Sequence, residues 1–148
     1  MTIIAWDGKS IAADRRVICS GSISTTTKIR RVKVPKKGFQ VLAWAGQQAA
    51  AMMLFDWYMR GADPEQWPQV QQSDEQWARM IVADGSGVYE FERQPVAVRV
   101  EDAFAAWGSG SDVAMGAMHM GASARRAVEV ASLVEASCGN GVDAFDLI

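Results

Sequence analysis

The stretch Thr2-Ile3-Ile4-Ala5-Trp6-Asp7-Gly8-Lys9-Ser10-Ile11-Ala12-Ala13-Asp14 decides how this chain folds. Thr2 to Trp6 is β-prone, Asp7-Gly8 is a favoured pair for a two-residue primed turn, and Ser10 to Asp14 resumes an extended apolar run. Together they predict a hairpin inside a sheet. That hairpin folds the Asp14 carboxylate back beside the strand that starts at Thr2. Thr2 follows Met1, and so small a second side chain permits methionine aminopeptidase to remove Met1. The mature chain would then open on a threonine, with a hydroxyl nucleophile and an α-amine of pKa about 7.7 to 8.0 on one carbon framework. The amine serves as local base near neutral pH, and no histidine is needed. Many proteins carry threonine after methionine for no catalytic reason, so the neighbours of Thr2 have to decide.

Working outward, Gly21 to Ile29 is rich in Ser and Thr, and a basic stretch leads to a turn at Pro35-Lys36-Lys37-Gly38 before a buried strand over Phe39 to Ala45. From Gln47 to Met59 the period changes to helical, with Ala50, Met53, Leu54, Trp57 and Tyr58 on one face and Gly61 as the stop. Ala62 to Gln72 holds Pro64 and Pro68 and reads as a surface connection, and Ser73 with Gln76 reads as a capping box for a short turn. Strands are predicted over Ala78 to Ala83, Val88 to Glu92, Val96 to Val100 and Phe104 to Trp107. Helices follow over Asp112 to Met120 and Ser123 to Ala136, and a last strand runs from Val142 to Leu147. This order predicts an α+β chain with helices outside and stacked antiparallel sheets inside, as one domain over residues 1–148.

Composition narrows the function. With 15 Lys and Arg against 17 Asp and Glu, the net charge of -2 gives no positive field to attract nucleic acid or an acidic membrane. The longest apolar runs fall short of the roughly 20 residues that span a bilayer, and no leader follows Met1, which points to a soluble cytoplasmic protein. Cys19 and Cys138 are too few for a disulfide framework or a four-thiolate metal site. His119 is the single histidine and has no ligand at metal spacing, so it reads as a packed or interface residue. In Thr27-Lys28-Ile29 a lysine sits between β-branched neighbours, where it can point into the sheet layer while Arg30, Arg31, Lys33, Lys36 and Lys37 stay in solvent. A buried Lys28 would pair with Asp14, and an ammonium near the Thr2 hydroxyl stabilises its alkoxide.

Thr2-Ile3-Ile4-Ala5, Ile11-Ala12-Ala13-Asp14-Arg15-Arg16, Thr27-Lys28-Ile29, Trp44-Ala45-Gly46 and Trp107-Gly108-Ser109-Gly110 stand in the order seen in proteasome β-subunits, and the chain also resembles HslV. The likeness runs over essentially the whole chain, ends with Glu135-Ala136-Ser137-Cys138-Gly139, and is nearest to compact proteasome-like proteins of bacteria and their phages. It implies the N-terminal-nucleophile hydrolase fold, a four-layer αββα sandwich. It also implies a threonine peptidase working through an acyl-enzyme, without metal or organic cofactor, on peptides or unfolded proteins in a ring or helical homo-oligomer. Carried over, Thr2 is the nucleophile, Asp14 and Lys28 the charged pair beside it, the Gly46 N–H the oxyanion donor and Ser109 a partner of the α-amine. Glu135 and Cys138 are the nearest matches to a further acid and serine of the family, and neither is identical. Ile3 replaces the usual second threonine, the Thr2 to Asp14 interval is shorter than usual, and Gln47 and Gln48 follow Gly46 where small residues are common. No docking motif for an ATP-dependent unfoldase is evident.

Plainer readings stand beside these. Asp14 and Lys28 also fit a strand-end carboxylate and a solvated lysine, Ser109 a turn and helix cap, and Gly46 a strand-to-helix break. The basic residues from Lys28 to Lys37 fit a wet hairpin, and Cys138 a buried structural thiol. Trp57, Tyr58, Met59, Met115 and Met118 fit either the core or subunit contacts. The alternatives to a peptidase are a catalytically inactive scaffold of the same fold and an amidase for small amides.

Overall fold

Short strands dominate the chain because apolar residues cluster in runs of three to nine punctuated by Gly, Asp and Ser. The computed structural model describes residues 2–147, so the removal of Met1 concerns a residue outside the described ones. In chain order the elements are β1 (Ile4–Trp6), β2 (Ser10–Asp14), β3 (Arg16–Cys19), β4 (Ser22–Thr25), β5 (Ile29–Val34), β6 (Gly38–Gly46), α1 (Gln48–Met59), β7 (Ala78–Asp84), β8 (Gly87–Phe91), β9 (Val98–Arg99), β10 (Ala105–Trp107), α2 (Ser111–His119), α3 (Ala124–Val134) and β11 (Val142–Asp146). They build a four-stranded sheet in the order β10-β1-β2-β11, a five-stranded sheet in the order β5-β6-β7-β8-β9, and a separate ribbon of β3 and β4. All pairings are antiparallel. No helix among the described residues is long and apolar enough to cross a membrane.

Three apolar cores separate four layers. Leu42, Trp44, Met80 and Val82 of the larger sheet pack on Leu54, Trp57 and Tyr58 of α1. Val41, Ala43, Ile81 and Ala83 on the opposite face of that sheet meet Ile4, Trp6, Ile11 and Ala13 of the smaller one. Ile3, Ala5 and Ala12 face Ala114 and Met118 of α2 and Ala127, Val128 and Ala131 of α3. A strand covered on both faces has no solvent side, which is why Ile3-Ile4-Ala5-Trp6 and Ile11-Ala12-Ala13 are apolar without alternation. Each large side chain so buried contributes about 1.5–3 kcal/mol of transfer free energy.

The helical face of α1 is narrower than its sequence implies. Ala50, Ala51, Leu54, Trp57 and Tyr58 are buried, whereas Met53 lies at the rim of that stripe and is 53% exposed. Trp57, Tyr58 and Met118 belong to the cores. Arg16–Cys19 forms a strand of its own, paired with Ser22–Thr25 across Ser20 (φ +50) and Gly21 (φ +81), a turn that asks for positive φ at both positions. Ser73 Oγ does accept from the Gln76 N–H at 3.2 Å, but no helix follows it.

The first turn is displaced by one residue from its expected place. Asp7 N–H donates to Ser10 O at 3.1 Å, and of the expected pair only Gly8 takes positive φ (+91), so the turn centres on Gly8-Lys9. Asp7 caps instead. Its carboxylate accepts from the Lys9 and Ser10 N–H groups, from Ser10 Oγ, and from the Ala124 N–H at 2.8 Å, at the start of α3. Burial pushes the Asp7 carboxyl up, but these four hydrogen bonds outweigh it and hold the group below the usual carboxylate range. A depressed folded value stabilises the fold above the unfolded value, 3.8, and that contribution is lost as pH falls through the folded one. Asp7→Ala is therefore expected to cost about 1–2 kcal/mol at pH 7 and little at pH 2. Urea midpoints of wild type and variant, taken at both pH values, check this; an equal gap at both would refute it.

Candidate functional site

Asp14 ends β2 completely buried, and a carboxylate in that position needs several donors. It has them. Oδ1 accepts from Thr2 Oγ1 at 3.0 Å, the Ile3 N–H at 3.1 Å and Lys28 Nζ at 2.8 Å. Oδ2 accepts from the Arg16 N–H at 3.2 Å and the Gly139 N–H at 3.0 Å. Thr2 and Lys28 are themselves 2% and 4% exposed, so the structure brings a hydroxyl, an ammonium and a carboxylate together out of solvent. The hairpin register explains the first meeting: Ile4 pairs with Ala13, and the Asp14 N–H donates to Ile3 O. Lys28 arrives just before β5, where its carbonyl accepts from the Trp44 N–H at 3.0 Å. Removal of one member of a buried ion pair costs about 3–5 kcal/mol, so the pair is not an incidental surface contact.

A small cleft of about 40 Å³ opens beside this group, lined among others by Thr2, Val17, Thr26, Lys28, Trp44 and Gly46. Gly46 ends β6 at φ +107, and a Cβ there would come within 2.8 Å of Trp77 O and 2.9 Å of Ala78 Cα. Only glycine fits, which leaves bare backbone on the cleft wall. Larger hollows exist, one of about 360 Å³ between Arg31, Phe39, Asp84 and Phe145, but that one contains neither Thr2 nor the buried pair.

On the other side of Thr2 the backbone of Gly108 passes so close that a Cβ would lie 2.8 Å from Thr2 Cγ2, and Gly108 adopts φ +102. The Gly110 N–H and Ser109 Oγ both donate to Thr2 O at 3.3 Å, so the structure places Ser109 on the threonine carbonyl. Ser109 Oγ also lies 2.8 Å from Ser137 Oγ, which donates to Glu135 Oε1 at 3.0 Å. Ser137 is the residue that the sequence reading passed over in favour of Cys138. Cys138 Sγ is 3.8 Å from Ser109 Oγ and fully buried. Burial and the negative charge of Asp14 push its thiol above the ordinary range, which keeps it protonated and a poor nucleophile.

The segment carrying Glu135 to Asn140 is tied over Asp14 by Arg16. Its Nε donates to Asn140 Oδ1 at 3.0 Å and its Nη1 to Ala136 O at 2.8 Å. His119 lies outside the site, exposed, with its ring edge-on to Phe104 at 4.8 Å.

No family model and no curated protein sequence matches the chain. Its structure is similar to Thiobacillus denitrificans BPH solved in complex with epoxomicin, with TM-score 0.72 and 20% identity over 100% of both chains. It is similar to eukaryotic HslV from Trypanosoma brucei, with TM-score 0.69 and 21% identity over 98% of this chain and 97% of that one. The Anbu complex of Pseudomonas aeruginosa, solved as a helical assembly, gives TM-score 0.69 and 12% identity over 99% of this chain and 80% of the other. The chain has the proteasome β-like N-terminal-nucleophile hydrolase fold.

Proposed function

We propose that residues 1–148 form one domain that, once Met1 is lost, acts as an N-terminal threonine peptidase in a homo-oligomer. The observation that carries this reading is the convergence of Thr2 Oγ1 and Lys28 Nζ on the same Asp14 oxygen, both within 3.0 Å of it. A structural ion pair does not require a threonine hydroxyl at the chain start as its third member. Thr2 Oγ1 attacks the peptide carbonyl while its proton passes to the α-amine, and the Gly46 N–H with the Lys28 charge stabilises the developing oxyanion. The C–N bond then breaks, the leaving amine takes the proton, and water hydrolyses the acyl ester to restore Thr2. The buried charges and exposed cleft backbone fit this role, with peptides or unfolded chains as the substrate class. Self-assembly is supported by Met120, Leu133 and Val134, which are 89%, 79% and 68% exposed, and by the helical assembly of the Anbu complex.

The test is the intact mass of untagged protein before and after exposure to a peptide epoxyketone. Loss of Met1 and a one-to-one adduct at Thr2 is the expected result. Retained Met1 with no adduct would replace this reading with an inactive scaffold, and adduct formation with turnover of small amides alone would replace it with an amidase.

Ser137→Ala leaves Ser109 and Glu135 each one partner short. Turnover is expected to fall about tenfold, the worth of one net hydrogen bond of about 1.4 kcal/mol. Cys138→Ala should change it much less. Peptide hydrolysis rates of the two variants separate the roles; an effect confined to Cys138→Ala would reverse the assignment.

A further inference from the structure

The cleft beside Thr2 is far smaller than a typical side-chain pocket. At about 40 Å³ it falls well below the roughly 150 Å³ of apolar cavity that takes up a benzene ring. Trp44 is the largest side chain that lines it. Alternation along β6 sends Leu42 and Trp44 toward α1, and Trp44 comes to line the cleft from that side with 4% exposure. The ring is held in place on two sides. Phe55 of α1 meets it edge-on at 5.9 Å, and the Arg30 guanidinium lies 5.7 Å from its centre and 5.8 Å from that of Phe55. Such a packed aromatic pair with a cation beside both rings favours this position of the indole. Across the cleft Gln48 Nε2 donates to Thr26 Oγ1 at 3.1 Å, tying the first turn of α1 to the segment before β5.

A carbonyl held at Thr2 Oγ1 with its oxygen toward the Gly46 backbone brings the side chain of its own residue to this space. We infer that Trp44 sets the substrate class: the protein cleaves after Gly, Ala or Ser, and excludes branched and aromatic side chains on the acyl side of the scissile bond. This rests on the N-terminal threonine reading of Thr2. A side chain with more than one or two heavy atoms has to displace the indole, and pockets discriminate such additions by 10-fold or more.

The experiment uses wild-type protein and three peptide epoxyketones identical except for a methyl, isobutyl or benzyl group next to the ketone. Adduct formation at Thr2 is timed by intact mass. The methyl reagent is expected to react at least tenfold faster than the other two. Trp44→Leu, with Trp44→Ala as a second variant, should raise the isobutyl and benzyl rates toward the methyl rate, with circular dichroism confirming that each variant is folded. The wild-type ratio tests the inference even where both variants unfold. Equal or inverted rates in wild type, or an unchanged order in a folded Trp44 variant, would overturn it. Failure of all three reagents on a chain whose mass shows Thr2 at the terminus would overturn the nucleophile reading itself, and this inference with it.

Discussion

Thr2→Ala is expected to remove peptide hydrolysis almost entirely, by about four orders of magnitude or more, while the fold stays intact. The hydroxyl is one of five donors to Asp14, and the other four remain, so the loss of stability is about 1 kcal/mol. Alanine is small enough for methionine aminopeptidase to act, so a loss of activity cannot be blamed on a retained Met1. Thr2→Ser keeps the hydroxyl and should keep a measurable fraction of turnover. The measurement is peptide hydrolysis by the purified variants alongside urea unfolding. Turnover by Thr2→Ala at more than a hundredth of the wild-type rate would place the nucleophile elsewhere.

Lys28→Ala is expected to cost both chemistry and stability. Its ammonium is 2.8 Å from Asp14 Oδ1, and both groups are buried. Without it the buried Asp14 loses its ion-pair partner, a penalty of about 3 kcal/mol at the low end of the range for broken buried pairs. The oxyanion and the Thr2 alkoxide lose the Lys28 positive charge, which lowers turnover by about 10²–10³-fold. Lys28→Met, which keeps the stem but not the charge, should lose the same activity while recovering part of the packing. Wild-type turnover in either variant would mean that Lys28 only holds the sheet together.

Much of the architecture was legible from local pattern. The β1–β2 hairpin, the turn to a long buried strand and the three helices follow from runs of apolar residues and their punctuation, since period and turn chemistry are local properties. The misplacements have physical causes. Asp7-Gly8 reads as a turn pair from its own chemistry, but Asp7 accepts from the Ala124 N–H at the start of α3, more than a hundred residues away. The Arg16–Cys19 strand was hidden because it pairs only with its neighbour and packs in no sheet core. Met53 has the right spacing for α1 but sits at the rim of the buried stripe, which spans Ala50, Ala51, Leu54, Trp57 and Tyr58.

For the site, Thr2, Asp14, Lys28 and Gly46 follow from residue type and order, and the structure lines one cleft with Thr2, Lys28 and Gly46 and buries Asp14 beneath the first two. Ser137 was not. A serine beside a cysteine and a glutamate has no distinguishing mark in one sequence, and which of two adjacent side chains turns toward Ser109 depends on how the segment after α3 is pulled over Asp14 by Arg16.

The sequence by itself determined the order of elements, the apolar runs that must be covered on both faces, and a threonine, a carboxylate and a lysine available for one buried group. Those are consequences of spacing and side-chain chemistry. Only the tertiary structure decided that the Gly139 N–H, 125 residues away, completes the shell of Asp14, that Ser109 rests on the Thr2 carbonyl, and that Trp44 lines the cleft. Contacts of that kind arise where separate layers pack, and long-range packing leaves no periodic trace in the chain that makes it.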